Sequence, residues 1–236
     1  MNDAGLLYKY CKPQRTCVLR DQLISFTQRT ALNDIYELSP NIQFASEQHR
    51  IAREHISKTY PSINECPPTT GTEFEAEIKA ILNDCLVLSL SSKWDIIPIW
   101  SHYSKNFTGF VVGFDRSNPF LVNAKAVEYT DTFPVLKKDF AAIFTKYEQW
   151  RYESEWRTFK LRSEAEPDFT KMTNVGEIFL YKFPPEAVIE VILGPKMVPD
   201  DESQFRTILS APELSHVALL RALAGQNNWS FTKQPL

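Results

Sequence analysis

The sequence predicts an α+β fold, with a mixed, mainly antiparallel sheet and flanking helices. Helical and strand patterns alternate along it without the repeating βαβ rhythm of a parallel sheet. Aromatic residues reach 13 %, with Phe 16, Tyr 9 and Trp 5, which suits a sheet-containing core better than a plain helix bundle. Its 236 residues give one sizeable core, since domains usually run to about 100–200 residues, and no internal repeat divides them. A single domain over 1–236 is expected, with a helical extension from about 198 to 236.

Taken in order, LLYKY (Leu6 to Tyr10) reads as a strand and Leu19 to Phe26 as a weak helix by apolar spacing. Asn33 and Asp34 mark a turn. Ser46 to Thr59 opens with an N-cap serine and carries helix formers, and the prolines of Tyr60 to Gly71 make a loop. A capping box at Thr72 and Glu75, with Phe74, Ile78, Ile81 and Leu82 on one face, predicts a helix over Glu73 to Asp84. The strand LVLSLS follows, with Leu86, Leu88 and Leu90 on one face and Val87, Ser89 and Ser91 on the other. Asp95 is placed to cap a short helix holding Ile99, Trp100, His102 and Tyr103. GFVVGFD (Gly109 to Asp115) and LVNAKAVEY (Leu121 to Tyr129) read as strands. Leu136, Phe140, Ile143, Phe144 and Tyr147 recur at helical spacing. Strands are expected at Tyr152 to Leu161, Glu177 to Lys182 and Ala187 to Leu193. Ser210 and Glu213 form a capping box for a helix ending at Gly225, and the tail WSF adds an edge strand.

Composition narrows the function classes. With 43 % hydrophobic and 23 % charged residues, collagen-like, low-complexity and largely disordered chains are excluded. No apolar run approaches the roughly 18 residues of a spanning helix, and the opening MNDAGLLYKYCKPQ lacks a secretory apolar stretch, so a cytoplasmic protein without a membrane contact is expected. The cysteines Cys11, Cys17, Cys66 and Cys85 show no C-x-x-C spacing, which makes reduced thiols the expectation. A net charge of −3 argues against nucleic-acid binding by bulk charge, though not against a local basic groove.

The glycine-rich dinucleotide, P-loop, nucleophile-elbow and H-E-x-x-H motifs are all absent. His49 and His55 are six apart and share no helical face, so no metal is expected there. The richest segment is WRYESEWR, Trp150 to Arg157. If extended, it puts Glu153, Glu155 and Arg157 on the face of the core-facing Phe159 and Leu161. Two buried carboxylates beside an arginine make either a structural ion network or a wet pocket that tunes a carboxylate, and spacing alone favours the network. Trp100 and Tyr103, three apart, offer an aromatic platform near Ser89 and Ser91, with His102 between them; core packing accounts for the aromatics equally well. Gly109 and Gly113 hint at a close backbone or ligand approach. Ser89, Ser91, Glu153 and Glu155 are expected to open on one cavity with Trp100 or Tyr103 in its wall.

LYKY at Leu7 to Tyr10, LNDIYE at Leu32 to Glu37, LSLSS…IWSHYSKNFTGFVVGFD at Leu88 to Asp115 and W-x-Y-E-x-E-W-R at Trp150 to Arg157 form an ordered set. Together they resemble the bacterial family called domain of unknown function 2971, over about residues 7 to 194. Ile35, Tyr36 and Ile99 depart from that pattern. The set also looks, more distantly, like the ADP-ribosyltransferase plan, in which NAD is split at its nicotinamide bond. The resemblance implies Glu155 as main catalytic residue and Glu153 as second, with His102 and Tyr103 also in the catalytic group. It implies Tyr8, Lys9, Ser89, Ser91, Trp100 and Arg157 as contacts to NAD, with Tyr103 or Trp100 stacking on nicotinamide; no tightly bound metal is expected, since the histidines and cysteines lack ligand spacing. A macromolecular target, and a role as toxin or antiphage effector, belong to the same expectation. A non-catalytic recognition module for a nucleotide or partner is the alternative, and a metal-dependent nuclease built from Asp34, Glu37, Glu153 and Glu155 is the second.

Overall fold

The structure, a computed structural model, describes residues 5–42, 71–136, 140–163, 167–173 and 176–236. The expected helix over Ser46 to Thr59, most of the loop that follows it, and with them His49, His55 and Cys66, lie outside the described residues. The strands are β1 (Leu6–Cys11), β2 (Leu23–Gln28), β3 (Asn41–Ile42), β4 (Cys85–Ser91), β5 (Phe110–Asp115), β6 (Lys125–Ala126), β7 (Glu128–Thr130), β8 (Val135–Leu136), β9 (Thr145–Tyr147), β10 (Glu155–Leu161), β11 (Phe169–Thr173), β12 (Gly176–Lys182), β13 (Val188–Leu193), β14 (Ala218–Ala224) and β15 (Phe231–Pro235). The α-helices are α1 (Cys17–Arg20), α2 (Gly71–Asp84), α3 (Ile97–Tyr103) and α4 (Pro199–Leu209).

An 11-stranded sheet runs β11-β12-β2-β4-β1-β5-β13-β14-β15, with β10 on the other edge of β4 and β6 beside β10. Its pairs are antiparallel except β13 with β14. The fold is thus α+β with a mixed, mainly antiparallel sheet. Alternation along the strands sends side chains to two faces. Leu7, Leu86, Leu88, Leu90, Val112 and Phe114 bury on one face, with Val18 and Leu19 of α1 and Phe205 of α4. On the other, Tyr8, Tyr10 and Val111 meet Ile99 and Trp100 of α3, while Val87 meets Ile78, Ile81 and Leu82 of α2. Among the described residues no helix is long and apolar enough to cross a membrane.

Tertiary pairing overrides several local patterns. The helix expected over Leu136 to Tyr147 is a 3-10 turn, Phe140–Phe144, followed by β9. Thr145 closes the turn by donating its hydroxyl to the Ala141 carbonyl at 2.8 Å, and β9 then pairs in parallel with β7. The helix expected over Ser210 to Gly225 is instead a short 3-10 turn and β14, held between β13 and the edge strand β15. The helix of this region is α4, which starts at Pro199 with Asp200, Asp201 and Glu202 in its first turn. Helix propensity is worth well under 1 kcal/mol per ordinary residue, so a strand slot between two partners outweighs it. Leu19 to Phe26 likewise divides into α1, a left-handed turn at Gln22 and β2. Leu121 to Tyr129 breaks into a 3-10 turn and the short strands β6 and β7. Asp95 does not cap α3, whose N-cap is Ile96 with Pro98 in the first turn.

Candidate active site

The site forms where the sheet forks. One edge of β4 is paired throughout by β10, from Cys85 with Leu161 to Ser91 with Glu155. The other edge is shared: β1 meets it at Ser91 through Tyr8, and β2 meets it at Leu86 and Val87. Between those pairings, residues 88–90 face no partner strand on this edge among the described residues. Lys9 fills part of the gap, its Nζ donating to the Ser89 carbonyl at 2.9 Å. A cavity of about 430 Å³ occupies the fork, with Tyr8 and Lys9 from β1, Ser25 and Thr27 from β2, and Ser89 and Ser91 from β4 among its lining.

Carboxylates close one wall. The chain reaches it by the 3-10 turn Glu148–Glu153, which ends at Ser154 in the left-handed region (φ 46°). Strand β10 therefore starts at Glu155 rather than at Tyr152, and Glu153 and Glu155 turn inward across a kink instead of along one extended face. Ser91 fixes the kink, its hydroxyl donating to the Glu153 carbonyl at 2.7 Å. Lys146, from β9, sits among three acids: its Nζ lies 2.6 Å from Glu153 Oε2, 3.0 Å from Glu155 Oε2 and 3.2 Å from Glu37 Oε1. Arg157 grips Glu155 bidentately, Nε to Oε1 at 2.6 Å and Nη2 to Oε2 at 2.9 Å, contacts Glu37 through Nη2, and donates Nη1 to the Ile143 carbonyl at 2.8 Å. Tyr103 donates its hydroxyl to Glu153 Oε1 at 2.9 Å, and Tyr129 accepts the Glu155 backbone N–H at 2.7 Å.

Electrostatics separate the acids. Burial pushes the Glu155 carboxyl up, but Arg157 outweighs it, with help from Lys146 and a Ser89 hydrogen bond, and brings the pKa down to about 2. Glu37 ends above its ordinary range, because burial exceeds the pull of Arg157 and Lys146 and Glu155 adds repulsion. Lys146 loses to burial but gains more from Glu155, Glu37 and Glu153, so it stays charged. Tyr103 is pushed up by burial and by Glu153, and remains a hydroxyl donor. Lys9 is pushed down, chiefly by burial. Lys12 and Arg15, just beyond β1, line the same cavity.

Tyr8, Lys9, Ser89, Ser91, His102, Tyr103, Glu153 and Glu155 all line this cavity. Trp100 does not: it is 0 % exposed, its indole N–H donates to the Trp94 carbonyl at 2.7 Å, and Tyr10 meets it edge-on at 5.4 Å. A core position explains the ring, so of the two expected stacking residues it is Tyr103 that lines the cavity, whose wall also includes Tyr8, Tyr10 and Phe26. Arg157 is also 0 % exposed and absent from the lining. Its guanidinium is spent on Glu155, Glu37 and Ile143, so it orients the carboxylates from behind and cannot reach a ligand. Lys146, Tyr129, Lys12 and Arg15 were not expected in the site. Lys146 fell on a supposed helix; read as the strand Thr-Lys-Tyr, it becomes an inward cation between two outward residues. Among the described residues no group of three or more His, Cys, Asp or Glu is arranged to hold a metal, and the three acids already hold an ammonium and a guanidinium. Compared with family models, with curated proteins and with solved structures, the chain finds no match.

Proposed function

We propose that the chain is an ADP-ribosyltransferase-like enzyme that takes NAD in the sheet fork and opens its nicotinamide bond. The observation that carries this reading is the charge layout of one cavity: Glu153 and Glu155 on one wall, and Lys9, Lys12 and Arg15 lining the same space. Cations of that kind suit a pyrophosphate, and a carboxylate suits a sugar carbon that turns cationic as its bond breaks. In the step itself the ribosyl C–N bond breaks and its electron pair leaves with neutral nicotinamide. The ribosyl carbon is then taken by an acceptor oxygen or nitrogen, which releases its proton. Glu153 is the reacting-side carboxylate, held by Tyr103 and Lys146. Glu155 is a positioning residue, because Arg157, Lys146 and Ser89 already engage it. Tyr103 forms the wall for the nicotinamide ring, His102 stands at the same lining, and Ser89, Ser91 and Tyr8 complete the floor.

One observation favours a non-catalytic recognition module as second reading: Glu153 and Glu155 already carry cationic partners, as a purely structural network would. A single experiment separates the two. Incubation with NAD, followed by mass spectrometry, should show free nicotinamide, and Glu153→Gln should slow its release by about 100-fold or more, the scale of losing one electrostatic stabiliser. Saturable NAD binding without nicotinamide release supports the recognition module. Neither binding nor release overturns the assignment of the fork to NAD.

A further inference from the structure

A second cavity, of about 350 Å³, lies on the other side of the ion cluster and shares Glu37 and Lys146 with the first. Its described lining is more acidic than the fork's, where Lys9, Lys12, Arg15 and Lys146 stand against four glutamates. Asp34, Glu37 and Asp131 line it, and among the described residues Lys146 is the one cation in the lining. An ammonium has three N–H donors, and those of Lys146 face Glu37, Glu153 and Glu155, so it offers nothing to an incoming anion. Arg151, whose field reaches Asp131, is itself held by Glu148 at 2.7 Å. Among the described residues the ion pairs of Glu37 are made through Oε1, and its carboxylate is shared by the linings of both cavities.

The remaining walls mix aromatic rings with threonines and Pro134. Tyr36 and Phe133 stand edge to face with centroids 6.2 Å apart, and Tyr147 joins them. Tyr36 is 60 % and Phe133 49 % exposed, beside Ile35 at 83 %. Exposed apolar side chains clustered in this way mark interaction surfaces. Acid at the base and aromatic faces at the mouth make a receptor for a planar cation, which gains from ring faces and from carboxylate hydrogen bonds together.

We propose that this second cavity binds a basic side chain, arginine in preference to lysine, presented by a partner protein whose flanking residues cover the Ile35, Tyr36 and Phe133 rim. The site does not depend on what the fork binds. A polyanion is disfavoured by the same layout: among the described lining residues Asp34 and Asp131 stand outside the ion cluster, while Lys146 is already engaged by its glutamates.

The test uses the full chain and a fluorescein-labelled peptide of alternating Gly and Arg, followed by anisotropy at low salt. Saturable binding is expected, with the Lys version weaker and the Glu version unbound. Asp131→Asn and Phe133→Ala change exposed side chains, so a thermal melt should be unaltered, while each weakens the Arg peptide by about fivefold, the scale of one exposed cation–aromatic or charge-assisted contact. Absence of saturable binding overturns the site. So does equal binding by wild type and both variants, or preference for a single-stranded oligonucleotide over the Arg peptide.

Discussion

Glu155 and Glu37 share Lys146 and Arg157, yet the protein treats the two carboxylates oppositely. The Glu155 pKa is depressed and that of Glu37 raised. A depressed carboxylate contributes stability above its unfolded pKa and loses it as pH falls through the folded one. Glu155 should therefore cost the protein stability between pH 4.5, its ordinary value, and about 2. Glu37 works the other way: its contribution is complete below its unfolded pKa and fades as pH rises through the folded one. Glu155→Gln leaves Arg157, in a position with no access to water, with Glu37 as its remaining carboxylate, and should lower unfolding free energy by about 3 to 5 kcal/mol. Glu37→Gln, whose charge the site favours less than water does, should cost no more than about 1 kcal/mol. Urea unfolding at pH 7 of the two variants checks the contrast; equal losses would mean that both acids are held alike. Glu153 and Glu155 were legible in Trp150 to Arg157, because alternating charge leading into an apolar strand has to be paired or solvated. Their partner Lys146 was not, since a lysine in isolation signals a solvated surface.

At the scale of elements, glycine and one left-handed serine set where strands begin. A Cβ on Gly109 would stand 2.1 Å from the Cys11 carbonyl and 2.8 Å from that of Ser104, so the start of β5 can approach β1 and the end of α3 only without a side chain. Both obstacles are backbone and cannot swing aside. Gly109→Ala should therefore destabilise by about 1 to 3 kcal/mol or more, as overpacking does, and a loss of amide protection in β5 by hydrogen exchange locates the damage. Strands β1, β4, β5, β12 and β13 were legible because short apolar and aromatic runs are a local property of sequence. Thr145 to Tyr147 and Ala218 to Ala224 were not, because each has helical spacing and becomes a strand only when β7 or β13 and β15 supply partners from elsewhere in the chain. Helix α4 had signals in plain view, a proline followed by three acids, and was obscured by the stronger-looking capping box after it.

On the scale of the whole molecule, the sheet is two wings hung on one strand. The β11-β12-β2 wing holds β4 by residues 86 and 87, the β1-β5-β13-β14-β15 wing holds it at Ser91, and the cavity is the space between them. Such a fork could not be read from the sequence, which shows that β4 is a buried strand but not that two strands divide its edge. Lys9 bridges the gap through the Ser89 carbonyl, and its depressed pKa records the burial that this costs. Lys9→Met keeps the length and apolar stem and removes the donor, leaving that carbonyl to whatever water the cavity admits. The loss should be about 1 to 3 kcal/mol, a fall in Tm of several degrees for a chain of this size, at about 2–4 °C per kcal/mol. Its location matters more than its size: amide exchange should quicken in residues 88–90 and in β2 and β12, while β13 and β14, on the far wing, keep wild-type protection. Uniform quickening across both wings would mean that Lys9 supports the core as a whole and that the fork has no mechanical independence. If the exchange is confined to the near wing, β2 and β12 form the compliant wall of the cavity, the side on which a ligand as long as a dinucleotide would gain its room.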